Sequence, residues 1–235
     1  MVMGTSYNPR IVTDGLVLCL DAANERSYPG TGTTWTDLKG GNNGTLNNMN
    51  AANFSNDNGG ALSFDGTDEY VELSSLSTSL FGDGNASLFC FLKSYTSSAN
   101  SYGESGIFGF GSSELNNHYT WPNGNAYFDT FRTNRIGTTN LIGGIIDKGK
   151  PHAICITTKS GGNWNFYQIQ NENLVLQHST SAGTFGMSNF QKKIGYNNSI
   201  SFAFRGLFYN FMIYNKELSI EEIRQNYLAT KERYV

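Results

Sequence analysis

The apolar residues of this chain come in short runs that alternate side by side, and each run is cut off by a cluster of glycine and asparagine. A period of two puts every second side chain on one face of a strand, whereas a helix needs apolar residues three and four apart. LVLCL at 16–20, SLFCFLKSY at 87–95, GIFGFGSS at 106–113, KPHAICITTKS at 150–160, NWNFYQIQNENLVLQHS at 163–179 and FRGLFYNFMIYNKEL at 204–218 all read as strand-bearing runs. Residues 60–73, GALSFDGTDEYVEL, predict two strands joined by a tight Asp-Gly hairpin, with Leu62, Phe64, Val71 and Leu73 on one side. KPHAICITTKS and NWNFYQIQNENLVLQHS predict a second antiparallel hairpin around Ser160–Asn163. In the last strand, strict alternation puts Leu207, Tyr209, Phe211 and Ile213 on one face and Phe208, Met212 and Tyr214 on the other. KKIGYNN at 192–198 reads as one short strand, and Trp35 and Trp164 as core residues.

The end of the chain departs from this pattern. Ser219 and Glu222 form a capping box, and Ile223 and Tyr227 follow at helical spacing, so a short helix is expected over about 220–231. The reading is an all-β antiparallel sandwich over residues 1–235, a single domain with 219–235 as terminal helix and tail. Sandwiches of 200–250 residues routinely fold as one unit.

Charge and cysteine content narrow the partners. Sixteen basic against nineteen acidic residues give a net charge of -3, and no run of lysine or arginine supplies the footprint that nucleic acid requires. No apolar stretch approaches the roughly 20 residues that span a bilayer. GLVLCLDAA is stopped by Asp21 and preceded by Asp14 where a secretory signal carries basic residues, so no membrane or secretory role is expected of it. Cys19, Cys90 and Cys155 are odd in number, lie inside apolar runs and form no C-x-x-C pair. They read as reduced, buried thiols of a protein folded in a reducing cytoplasm.

Four segments in order carry a resemblance: GLVLCLDAANERSYPGTGTTWTDLKGGNNGTL, ALSFDGTDEYVEL, KPHAICITTKSGGNWNFYQIQNENLV and FRGLFYNFMIYNKELSIEEIRQNYLATKERY. Together they resemble the laminin G-like, concanavalin A-like jelly-roll superfamily. The first and last, with LDAAN, SYPG, TTW and NNGTL paired to IYN, EEI, QNY and ATK, resemble the version found in tailed-bacteriophage virion structural proteins. The resemblance implies a concanavalin A-like jelly-roll sandwich with a short C-terminal helix, made in the host cytoplasm and localised to the virion. It implies a non-enzymatic structural protein, a capsid decoration or fibre component whose partners are other capsid or tail proteins. The alternative is a carbohydrate-binding adhesin recognising host-surface polysaccharide. Many relatives carry an acidic pair in the last strand, where this chain has Tyr209 and Asn210.

Two clusters are candidate sites. Asp65, Asp68 and Glu69, with Glu72 beyond, are the densest acidic group, and calcium takes six to eight oxygen ligands of this kind. The competing reading is that Asp65-Gly66 makes the turn and the remaining acids are solvated. Tyr119, Trp121, Asn123, Asn125 and Tyr127 combine aromatic faces with amides, as a sugar site needs. The competing reading is that the rings cover the core or a neighbouring subunit, which aromatic enrichment at protein interfaces favours. For catalysis, Asp68-Glu69-Tyr70-Val71-Glu72 lacks the E-x-D-x-E spacing of laminarinase-type enzymes that share the fold. His118, His152 and His178 have no G-x-S-x-G partner. No enzymatic activity is therefore expected, and His152 is expected to order a strand end.

Overall fold

A computed structural model describes residues 9–77, 79, 84–95, 106–110, 117–118, 127–128, 136–137, 149–160, 162–170, 172–181, 190–197 and 199–233. The larger sheet runs β14 (Asn173–Ser181), β13 (Asn163–Gln170), β12 (His152–Thr158), β7 (Ala86–Ser94), β18 (Arg205–Tyr214), β5 (Ala61–Asp65) and β4 (Phe54–Ser55). Strand β1 (Leu16–Asp21) joins it beside the C-terminal half of β18, while β5 takes the N-terminal half. The smaller sheet runs β2 (Thr34–Trp35), β3 (Gly44–Asn47), β6 (Tyr70–Glu72), β15 (Phe190–Ile194) and β8 (Phe108–Phe110). Two short ladders complete it: β9 (Asn117–His118), β10 (Tyr127–Phe128) and β11 (Ile136–Gly137), and β16 (Tyr196–Asn197) with β17 (Ser199–Ala203). The strand pairs are antiparallel throughout. This is an all-β jelly-roll sandwich with one short C-terminal helix.

The core between the sheets is made by alternation from both sides. Leu62, Phe64, Leu88, Cys90, Leu92, Phe208, Phe211 and Ile213 come from the larger sheet, and Trp35, Leu46, Val71 and Ile194 from the smaller. Trp164 lies in the same cluster, so both tryptophans are core residues as expected. Closing such a layer removes apolar surface from water at roughly 25 cal/mol per Å² and is the main force holding the sheets together.

A second core lies on the opposite side of the larger sheet, which explains why SLFCFLKSY is apolar on both faces. Phe89, Phe91, Cys155, Tyr209, Met212 and Tyr214 point away from the smaller sheet and pack with Val12, Leu218, Ile223 and Tyr227. The cover is helix α1 (Ile220–Thr230) together with the segment from residue 9 to β1. The helix starts at the predicted cap: Ser219 Oγ accepts from Glu222 N at 3.2 Å and Glu222 Oε2 accepts from Ser219 N at 3.0 Å. Asn226 ties the two covers together, accepting from Val12 N at 2.8 Å and donating to Tyr214 Oη at 3.0 Å. Tyr214 Oη in turn donates to Val12 O at 3.1 Å.

The structure corrects three local expectations. ALSFD and YVEL are not a hairpin: β5 belongs to the larger sheet and β6 to the smaller. Residues 66–69 form a corner between layers, and the four apolar side chains share a core because they face it from opposite sheets. Alternation and an Asp-Gly turn serve a hairpin and a corner equally well, so the local pattern does not separate them. In β18 the register slips between Phe208 and Asn210. This bulge keeps Leu207 and Tyr209 on the outer face but turns Phe211 and Ile213 inward. KKIGYNN is broken at Gly195, whose φ is +82° and whose added Cβ would lie 2.3 Å from Phe64 Cε1. Only glycine fits there. The hairpin of β12 with β13 is as predicted, except that the arm read as continuous over 163–179 divides into the antiparallel pair β13 and β14.

The three cysteines are free and buried. Burial raises each thiol, that of Cys19 to about 12, so they remain protonated and unreactive at neutral pH. His152 is fully buried at the start of β12, with Nδ1 3.0 Å from Lys150 O. It orders the strand end as expected. Among the described residues no helix is long and apolar enough to cross a membrane.

Candidate functional site

Among the described residues, the outer face of the smaller sheet reaches solvent fully at Thr34 and Thr45 and partly elsewhere. Val71 points into the core, so its neighbours Tyr70 and Glu72 point out. Register then fixes a row across four strands: Thr34 opposite Thr45, Thr45 opposite Glu72, and Glu72 opposite Lys193. Asn47 pairs with Tyr70 one step along. Thr34 and Thr45 are exposed, while Asn47, Tyr70, Glu72 and Lys193 are half-buried.

The break at Gly195 completes the site. It takes the chain out of β15 and brings Tyr196 beside Tyr70, with ring centroids 5.3 Å apart and planes tilted by 45°. Lys193 lies diagonally across from Tyr70, a separation that long side chains bridge. Its Nζ rests 4.6 Å from the Tyr70 centroid and 5.0 Å from that of Tyr196. Burial, then the neighbouring Tyr70, raises the Tyr196 hydroxyl above its ordinary range, so it is a neutral donor at physiological pH. Two aromatic faces, a cation, the Glu72 carboxylate and the Asn47 amide thus share one surface, the mixture of apolar and placed polar groups that recognises small polar ligands. None of Tyr70, Lys193 and Tyr196 was singled out from the sequence. The available signal was Tyr70 outward of a buried valine, with a glycine interrupting KKIGY.

The acidic candidates lie at the adjoining corner and are used differently from one another. Glu69 is only 6% exposed; its Oε2 accepts from Asp65 N at 3.1 Å and its Oε1 from Asn53 Nδ2 at 3.4 Å. Burial pushes its carboxyl up, while the hydrogen bond with Glu69 draws the Asp65 carboxyl down. Asp65 also accepts from Thr67 N at 2.7 Å, which makes the turn, and Asp68 is exposed. Among the described residues no group of three His, Cys, Asp or Glu side chains comes together as a metal site.

Of the loop candidates, Tyr119, Trp121, Asn123 and Asn125 lie outside the described residues. Tyr127 is in β10, its backbone paired with His118 and Gly137. Tyr209 and Asn210 of the last strand are fully buried. Tyr209 Oη donates to Asp57 Oδ2 at 3.0 Å and Asn210 Oδ1 accepts from Phe91 N at 3.0 Å, so both are engaged by the sheet.

The architecture is an all-β jelly-roll sandwich whose smaller sheet carries aromatic rings on its outer face among the described residues. Neither a protein-family model nor a curated protein sequence matches the chain. Solved structures do. A Trypanosoma rangeli sialidase in complex with the inhibitor DANA is similar at 16% identity and a TM-score of 0.67, over 98% of this chain and 36% of the sialidase. A mutant of that sialidase displaying trans-sialidase activity is similar at 17% identity and a TM-score of 0.64, over 96% of this chain and 34% of the other. A mutant of HCR/D is similar at 18% identity and a TM-score of 0.58, over 93% of this chain and 51% of the other. At these identities the likeness is one of fold, and the chain spans about a third to a half of the structures it matches.

The sialidases overturn the expectation that this chain is no enzyme. They are enzymes, and the same sandwich fold accounts for 36% of one such chain. The physical reason is that catalytic groups are gathered from residues far apart in sequence. A missing E-x-D-x-E or G-x-S-x-G therefore excludes only the chemistry which those short spacings carry.

Proposed function

We propose that the sandwich is a carbohydrate-binding module whose ligand lies on the open face of the smaller sheet. The observation that carries this reading is the Tyr70–Tyr196 pair, two half-buried rings held side by side with Lys193, Glu72 and Asn47 around them. Sugars present apolar ring faces edged by hydroxyls, and tyrosine answers both with its ring and its hydroxyl. The sialidase neighbours, one of them in complex with sialic acid, support the reading through shared fold. Binding to a panel of immobilised polysaccharides tests it: the unmodified chain binds at least one, and Tyr196→Ala abolishes that binding while melting as a folded protein. Binding to none, or binding that Tyr196→Ala leaves intact, defeats the assignment. On the same panel Trp121→Ala tests Tyr119, Trp121, Asn123, Asn125 and Tyr127 as a second contact.

A second reading concerns where the module works. The paired sequence segments at the two ends favour a component of a tailed-bacteriophage particle, decorating the capsid or forming part of a fibre, with other virion proteins as partners. The two readings are compatible, since one surface docks while another holds sugar. Stoichiometric recovery of the chain with purified particles supports the placement, and its absence from them removes it.

A further inference from the structure

We infer that the ligand of this face is an acidic saccharide whose carboxylate pairs with Lys193, an inference that rests on the carbohydrate-binding reading above. Lys93, Lys216 and Lys231 each meet a carboxylate: Asp57, both Asp14 and Glu222, and Glu172 respectively. Lys193 meets none within 4 Å among the described residues, although Glu72 stands opposite it in the ladder. Its ammonium is laid against the two tyrosine rings instead. Such contacts orient a cation and stabilise it modestly without neutralising it. The three ammonium donors thus stay available in a fixed place, which lowers the ordering cost when an anion arrives.

The surroundings select what kind of anion fits. Glu72 is the cross-strand neighbour of Lys193, so a dense polyanion would meet a like charge there. A sugar brings hydroxyl hydrogens to that carboxylate and a single carboxylate to the ammonium. The Tyr70 and Tyr196 hydroxyls make no hydrogen bond within the described residues and serve the remaining ring oxygens. The chemistry is shared by uronic acids and sialic acids.

The test compares acids with their neutral counterparts on the full chain by titration calorimetry. The pairs are a uronic-acid oligomer against the same oligomer with its carboxyls reduced to alcohols, and sialyllactose against lactose. The expected result is an affinity about tenfold or more higher for at least one acid than for its counterpart, as a charge-assisted bond provides. Lys193→Gln removes that preference and Lys193→Arg, which keeps the charge, retains it. Which acid is preferred tells the two sources apart. Equal binding of acid and neutral forms, or a preference that survives Lys193→Gln, overturns the inference and leaves the carbohydrate reading standing. Absence of saccharide binding altogether overturns both. The comparison on the unmodified chain decides even where a variant fails to fold.

Discussion

The two outward faces of the sandwich are made from the same alternating strands and end in opposite ways. On the larger sheet the outward residues are Phe89, Phe91, Cys155, Met212 and Tyr214, and the two ends of the described chain fold back to cover them. On the smaller sheet they are Thr34, Thr45, Tyr70, Glu72 and Lys193, which remain exposed or half-buried. An apolar face in water demands a cover, and here a helix and a strap supply it. A face of threonines and charges needs none. Two tyrosine rings are nevertheless held half-buried on that face, and the proposed ligand site rests on them.

Substitutions on each face separate the covered side from the polar one. The largest effect is expected under the helix, where Phe91 is fully buried, stacked on Tyr227 at 5.7 Å and edge-on to Tyr209. Phe91→Ala is expected to cost about 3–5 kcal/mol in chemical denaturation; a cost under about 1 kcal/mol would mean that the helix covers nothing of consequence. Next is acid sensitivity in the larger sheet. Burial lowers His152 from 6.5 to about 4, so the unfolded chain takes up a proton that the folded chain refuses. The stability this group contributes is complete above about pH 6.5 and is lost as pH falls through about 4. It amounts to about 3 kcal/mol at about 1.4 kcal/mol per pH unit, and melting curves of His152→Gln should lack that component of the acid loss.

Smaller effects follow at the cover's edges. Asn226→Ala strands Val12 N and takes from Tyr214 Oη the donor it accepts from, at an expected cost of about 1–3 kcal/mol for a buried group left unpaired, read from the urea midpoint. Ser219→Ala removes the helix cap and should cost about 1 kcal/mol by the same measurement. Least of all is Lys193→Gln on the polar face, where the cation–π interaction that its ammonium shares between Tyr70 and Tyr196, about 0.5–1 kcal/mol, is lost. A large destabilisation there would show that Lys193 holds the fold and would weaken its assignment to a ligand.

Much of the architecture was legible. The strand segments, the buried tryptophans, the reduced cysteines, the β12–β13 hairpin and the Ser219 capping box all follow from spacing and residue type. The candidate site was not. Tyr70, Lys193 and Tyr196 sit in three unremarkable stretches, and nothing local announces that Lys193 will be the neighbour of Glu72. The β18 bulge was equally hidden, because an extra residue in one strand shows only against the register of its partner. The Asp65–Glu69 corner was read for its charge, whereas its carboxylates mostly hold the turn between the sheets.

What the sequence determined alone is which side chains on each strand look the same way, since alternation is a local steric property of an extended backbone. Which strands lie side by side is settled by packing alone, because every strand edge offers the same hydrogen-bonding groups and burial of the whole core selects among the pairings. That choice brings two tyrosines and a lysine from distant segments onto one open face, and it places phenylalanines of similar local pattern beneath a helix.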